Sequence, residues 1–375
     1  MSGIYIHIPF CRKACHYCNF HFSTSQQSRT AMTAAIAKEA IIRKSFISDH
    51  ISTIYFGGGT PSLLTSDELM MIMKTLSTHF SIAPDAEITL EANPDDISAD
   101  KLLEWKKAGI NRLSIGIQSF YEEDLLWMNR AHNAIQAKQC VLLTQEAGFH
   151  NLTIDLIYGT PGLSDERWMA NIETAISLNI PHLSCYALTV EPNTALDKLI
   201  QKGSKADVDQ QSQAIHFDLL TTRLEAAGFE HYEISNFALP GFRSKHNSSY
   251  WQGKPYLGLG PSAHSFNGII RQWNISNNAL YLKSIEQDMV PSEAEQLTDE
   301  QQLNEYIMTS LRTMEGCSLK RIEERWGKKN VVAIMNAAQK YVQEAYLNLS
   351  GNHLILTKKG KFLADGIAAE LFQLN

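Results

Sequence analysis

No stretch of this chain stays apolar for the roughly 18 residues a membrane-spanning helix needs, so no integral membrane segment is expected. Positive charge is not in excess either. A formal net charge of −7 argues against a dedicated nucleic-acid binder. The opening MSGIYIHIPF has no basic run ahead of an apolar one and so does not read as a secretory signal. Collagen-like and low-complexity bias are missing. There is no second C-x2-C pair to complete a standard zinc module. No G-K-[ST] follows the one run of glycines, which excludes a P-loop. What is left is an ordinary composition, 44% hydrophobic and 19% charged over 375 residues. That is enough for two or three domains or one large barrel, expected in the cytoplasm.

Against that background the chain shows a repeat. Strand-like runs at 4–8, 52–56, 86–92, 112–118, 152–158 and 182–188 alternate with helix-period stretches near 29–47, 66–79, 99–108, 133–147, 164–179 and 208–227. Several strands are apolar at consecutive positions, as when both faces of a parallel sheet are covered. Ser66 and Ser164 precede acidic first turns, and Gly109, Gly148 and Gly228 follow helix ends. Six β-α units in series predict an α/β domain over 1–230, either a partial barrel or an open sheet. Residues 231–292 are rich in glycine and aromatics and read as loops and a helix laid over the mouth. The polar stretch 290–299 reads as a linker. Helical patterns, a hairpin near 348–356 and a last helix from Lys358 predict a small winged-helix-like domain over 293–375, suited to packing or docking.

Six cysteines in a reducing compartment are expected to be free thiols, metal ligands or nucleophiles. Cys140 and Cys185 fall in helix-like and strand-like runs and read as small buried apolar residues; Cys317 is isolated too. CRKACHYC is different: Cys11, Cys15 and Cys18 form C-x3-C-x2-C, a spacing that chance supplies on the order of once in a thousand such chains. Zinc closed by His16 or His21 is one reading. An iron–sulfur cube on three thiolates is the stronger one, because it leaves one iron open to a small chelating ligand.

Two further signals share the same rim. FGGGTPS (56–62) follows the second strand, and its glycines permit close approach of a ligand or simply a tight turn. Glu91, Gln118 and Asp155 lie at or near the ends of successive strands, with Arg130 just beyond the fourth. Together they suit a ligand carrying an amine, a carboxylate and ribose hydroxyls.

CRKACHYC resembles the loop of the radical S-adenosylmethionine (SAM) enzymes. The longer run YIHIPFCRKACHYCNF is similar to the branch containing oxygen-independent coproporphyrinogen III dehydrogenases and heme chaperones. The likeness continues through GGGTPS, ITLEANPD, RLSIGIQSF, NRAH, IDLIYGTPG, YALTVEP, HNSSYW, YLGLGPSAHSF and LTKKGKFLADGIAAELF. It implies a partial (β/α)6 barrel with a [4Fe–4S] cluster on Cys11, Cys15 and Cys18 and SAM on its open iron. Tyr5, Tyr17, Gly58, Gly59, Thr60, Glu91, Gln118, Arg130, Asp155, Ala187 and His264 match positions lining SAM sites in that branch. The dehydrogenases carry a further cysteine where this chain has Phe20, and a segment ahead of the first strand where it has three residues before Ile4. Both differences imply the chaperone rather than oxidative decarboxylation of coproporphyrinogen. HNSSYW adds His246, Tyr250 and Trp251 as heme candidates. The resemblance then implies heme delivery to respiratory acceptor proteins and an electron donor for the cluster, and leaves peripheral membrane contact and self-association open.

Overall fold

A computed structural model describes residues 2–373. The repeat read above builds one large sheet. Strands β1 (Ser2–Ile8), β2 (Ile51–Gly58), β3 (Ile82–Ala92), β4 (Arg112–Gln118), β5 (Leu152–Tyr158) and β6 (His182–Ala187) lie side by side in sequence order, every pair parallel. Helices such as Arg29–Ile42, Ser66–His79 and Asp165–Ser177 return the chain between them. Burial on both faces explains the consecutive apolar positions: Ile4, Ile6, Ile54, Phe56, Ile115 and Ile154 are fully enclosed. Each contributes roughly 1.5–3 kcal/mol by leaving water.

The helix boundaries follow local chemistry. Thr65, rather than the expected Ser66, caps the second helix in a reciprocal box with Glu68. Ser164 accepts from the Arg167 N–H as expected of a cap. Gly148 and Gly228 take positive φ just past helix ends, a conformation that costs other residues a Cβ clash.

Residues 231–296 depart from the loop reading. β7 (Glu230–Glu233) and β8 (Asn236–Ala238) extend the sheet antiparallel beyond β6. β9 (Tyr256–Leu259) adds parallel to β1, followed by β10 (His264–Phe266), β11 (Ile270–Asn274) and β12 (Ser292–Gln296). The stretch 290–299 expected as a linker therefore contains an edge strand. Its polar residues fit an edge that is open to water on one side. The result is an open twelve-stranded sheet whose parallel part is seven strands, β9 followed by β1 to β6.

Leu303, Ile307, Ile322, Ile334, Leu354 and Ile367 form a second apolar core, built from helices and a three-stranded sheet. It is fastened to the first near both ends of the large sheet, by Arg271 of β11 to Glu305 and by contacts beside β7. The Ile234 N–H donates to the Arg312 carbonyl at 3.1 Å, and the Arg312 guanidinium meets buried Glu233 at 3.3 Å while lying over Trp251.

Candidate functional site

The three thiols sit on the loop that leaves β1 at its carboxyl end. That loop is bolted to the segment after β4. The His16 N–H donates to the Met128 carbonyl (3.2 Å), Asn129 to the Ala14 carbonyl (2.8 Å) and Lys13 to the Arg130 carbonyl (3.1 Å). On the other side the Cys11 N–H donates to the Ser23 carbonyl, and the Gly59 N–H donates to the Ile8 carbonyl. A Cβ on Gly59 would stand 2.6 Å from the Phe10 carbonyl oxygen, so glycine is what lets the second strand's turn lie under the thiol loop.

Beneath the loop is a cavity of about 400 Å3. Cys11, Cys15, Cys18, Gly58, Gly59 and Thr60 form its upper wall. Glu91, Gln118, Arg130, Asp155 and Ala187 rise from the strand ends and line it with Tyr17. Thr60 donates to the Cys11 sulfur at 3.4 Å, and Arg130 to the Cys15 sulfur at 3.3 Å. Burial pushes the Cys11 thiol up to about 11, against the opposing pull of Thr60, and raises Cys18 as well.

The carboxylates are held in low dielectric. Burial raises Glu91 to about 8; its bond from Tyr55 (2.7 Å) opposes the shift and nearby Asp155 adds to it. Burial also raises Asp155 to about 6, opposed by Ser184, Arg130 and Ser114. For Arg130, burial works against the cation but Tyr17 and Cys15 outweigh it, so the guanidinium stays charged. Its other donors go to the Gly116 carbonyl (2.7 Å) and Asn93 (2.9 Å). Gln118 takes φ +58°, and its amide oxygen is buried without an acceptor's partner among the described residues. A strained backbone and an unmatched polar atom in one residue mark a position shaped for something other than folding.

Tyr5 and His264 are not in this group. They line a second, larger cavity of about 720 Å3 together with Tyr250 and Trp251. Asn19 and Phe20 border both cavities. His246, from the same HNSSYW run, is in neither lining and is only 1% exposed. Its Nδ1 pairs with the Thr53 hydroxyl (2.8 Å) and its Nε2 with the Tyr250 hydroxyl (2.9 Å), so both ring nitrogens are already used. Burial accordingly lowers its pKa to about 3. Of the three heme candidates, Tyr250 and Trp251 reach the second cavity, and His246 lies behind Tyr250, bonded to it.

Sequence reasoning passed over Tyr55, Asn93, Ser184 and Tyr186, all of which line the first cavity. Strand alternation carried the signal for Ser184 and Tyr186, which flank buried Cys185. His16 and His21, the candidate fourth ligands for zinc, bond elsewhere: His16 to the Trp127 carbonyl and His21 to Asn278. Among the described residues, no group of three His, Cys, Asp or Glu side chains is arranged to hold a single ion.

The donor set and the cavity suit a multi-iron cluster with a charged ligand beside it: three thiols on one wall, buried carboxylates and a cation opposite, and an unmatched amide oxygen. A thiol loop of this spacing over the carboxyl ends of six parallel strands defines the class as radical SAM. The family model described as "Radical SAM superfamily" matches residues 5–175, and that of the "HemN C-terminal domain" matches 297–363. The heme chaperone HemW of Bacillus subtilis (strain 168) is 35% identical over 372 residues, spanning 98% of each chain. That of Escherichia coli (strain K12) is 36% identical over 267 residues, covering 70% of this chain and 69% of its relative. The solved coproporphyrinogen III oxidase (HemN) from Escherichia coli, a radical SAM enzyme, superimposes with a TM-score of 0.86. That match covers 99% of this chain and 90% of the other at 24% identity, a likeness of fold. The chain belongs to the HemW family of the radical SAM superfamily. Membership of that superfamily implies a [4Fe–4S] cluster and SAM. Among the described residues no helix is long and apolar enough to cross a membrane.

Proposed function

We propose that this protein is a heme chaperone: it carries a [4Fe–4S] cluster and SAM, binds heme beside them, and passes heme to acceptor proteins of respiration. The observation that carries the reading is the match to the Bacillus subtilis heme chaperone along 98% of both chains. Cys11, Cys15 and Cys18 would hold the cluster. Gly58, Gly59 and Thr60 offer backbone and hydroxyl partners, Glu91 and Asp155 accept from an amine or ribose hydroxyls, and Arg130 pairs with a carboxylate. When bound, the cluster and SAM together supply one-electron chemistry. The chain's own contribution is to hold the thiols in register, keep Arg130 charged and exclude water from the carboxylates.

Phe20 supports the chaperone over the dehydrogenase. It stands where the dehydrogenases resembled here have a further cysteine, it is 64% exposed, and it borders both cavities. The fold shared with HemN carries no activity by itself. The test is anaerobic reconstitution, followed by iron and sulfide analysis, heme titration by absorbance, and heme transfer to an apo-acceptor. Coproporphyrinogen turnover with SAM and a reductant is assayed in parallel. Cluster assembly with heme binding and transfer is expected. Coproporphyrinogen turnover at enzyme-like rates, or zinc in place of iron, overturns the reading.

A further inference from the structure

The second cavity lies between the β9–β11 edge of the large sheet and the C-terminal core, and the proposed function does not say what either wall does. Its volume of about 720 Å3 falls in the range of small-molecule sites, about 300–1,000 Å3. One wall is aromatic from the sheet side: Tyr250 meets Tyr256 edge-to-face at 4.6 Å, with Trp251 beside them. The facing wall comes from the C-terminal unit, where Tyr306 stacks on Trp326 at 5.6 Å. Two aromatic walls facing one space suit a flat, largely apolar occupant.

The charge of that space is one-sided. Arg271 already pairs with Glu305 at 2.6 Å. Arg321 and Arg325, one turn apart on the helix Leu319–Trp326, have no carboxylate within ion-pair distance among the described residues. Each guanidinium is laid on a wall of the cavity, Arg321 over Tyr306 at 4.6 Å and Arg325 over Trp326 at 4.8 Å. Such stacking orients the planar fork while leaving its N–H edge to bind an anion. The indole N–H groups of Trp251 and Trp326 are buried and have no acceptor among the described residues. Arg321 and the two indoles are unmatched donors, and Arg325, which gives one N–H to Gln302, keeps the rest of its fork free. Such donors around aromatic walls ask for an occupant with carboxylate oxygens.

The histidines of the cavity differ from one another in the same way. His7 is committed on both nitrogens, to the His21 carbonyl at 2.8 Å and the Tyr5 hydroxyl at 3.2 Å, and burial lowers its pKa to about 4. His21 bonds Asn278. His264 is exposed at the cavity, and among the described residues its ring nitrogens make no hydrogen bond; it rests only on the face of Trp273, at 6.2 Å. A neutral imidazole with a free nitrogen is a metal ligand in waiting.

We infer that the second cavity seats a planar aromatic dicarboxylate bearing iron, with its carboxylates on Arg321 and Arg325 and its iron on His264 rather than His246. The inference rests on the heme-chaperone reading and adds the site. It gives the C-terminal unit a role in holding the ligand and places the iron beside Phe20, next to the cluster loop.

The test uses the full chain with its cluster reconstituted. Heme and its dimethyl ester, whose carboxylates are capped, are titrated into the wild type, Arg321→Ala/Arg325→Ala, His264→Ala and His246→Ala, reading the Soret band. In the arginine variant, heme affinity is expected to fall about tenfold or more, while the affinity for the ester stays within about twofold. His264→Ala is expected to move the Soret maximum; His246→Ala is expected to keep the wild-type band position. Cluster iron and far-ultraviolet circular dichroism confirm that each variant is folded. Unchanged heme affinity in the arginine variant, or an unchanged Soret band in His264→Ala, overturns this inference while leaving the chaperone reading intact. A wild-type protein that binds no heme overturns both.

Discussion

Replacing Glu39 by alanine should cost the protein a large part of its stability. Glu39 is on the helix Arg29–Ile42, fully buried, and its carboxylate is a hub. One oxygen accepts from Tyr281 (2.6 Å) and the Gly260 N–H (2.8 Å); the other accepts from Asn274 (2.7 Å) and faces Arg43 (3.3 Å). Arg43 is itself buried, donating onward to the Gly258 carbonyl, Ser265 and Gln272. Glu39→Ala leaves that cation without its counter-ion, which costs about 3–5 kcal/mol in buried pairs. Three further donors lose their acceptor, at about 1–3 kcal/mol each where nothing replaces it. These terms are not additive, since water entering the vacated space meets some of the demand, so we expect a loss of about 4–6 kcal/mol. Because domain stabilities are only about 5–15 kcal/mol, unfolding near physiological temperature is within reach. Urea denaturation followed by circular dichroism measures it, comparing Glu39→Ala, Arg43→Ala and the double variant. The double variant should lose less than the sum of the two single ones, as for partners in one network. A loss below about 1 kcal/mol, or strict additivity, would refute the hub. Since Gly258, Gly260, Ser265, Gln272 and Asn274 all lie on or between β9, β10 and β11, the same variant should also weaken heme binding in the second cavity.

Cys15→Ala should abolish the brown cluster chromophore, and Cys185→Ala, buried away from the thiol loop, should keep it; iron and sulfide per chain decide both. Gly59→Ala should lower cluster content, because the added Cβ meets backbone at Phe10 and Ile8 that can yield only by moving the loop; a full complement of iron would refute that. Acid should destabilise the fold earlier than carboxylate titration does. Burial holds His132, His231 and His246 at about 3, so they stay neutral in the fold while the unfolded chain takes up protons below its pKa of about 6.5. The histidines' contribution is therefore fully present above about pH 6.5 and falls toward pH 3, by about 1.4 kcal/mol per pH unit for each. Glu91 and Asp155, raised by burial to about 8 and 6, work the other way as pH falls toward 4. Urea midpoints between pH 7.5 and 5, compared in the wild type and His246→Gln, check this: the variant should lose less stability per pH unit on acidification, and an unchanged pH dependence would count against it.

Much of the site could be read from local pattern. The C-x3-C-x2-C spacing, the glycine turn and the polar positions at successive strand ends are short-range features, and the parallel sheet assembles them on one rim because every strand points the same way. Ser184 and Tyr186 escaped notice because their strand runs through consecutive buried positions, so alternation was masked. Five strands, β7 to β11, run through the stretch 231–292 expected as loops and a helix; β9 is among them because it finds its partner in β1, about 250 residues away in the chain, and no local periodicity carries that pairing.

The sequence alone determined the class: six β-α units, three thiols at a rare spacing and a phenylalanine where the dehydrogenases have cysteine. These are composition and order, which folding cannot alter. Tertiary structure alone decided which histidines are available. His246 and His264 are the same side chain in similarly aromatic surroundings, yet one is enclosed with both nitrogens bonded and the other stands open at a cavity wall. Hydrogen-bond satisfaction depends on neighbours brought from distant parts of the chain, and for His246 that neighbour is Thr53 on β2.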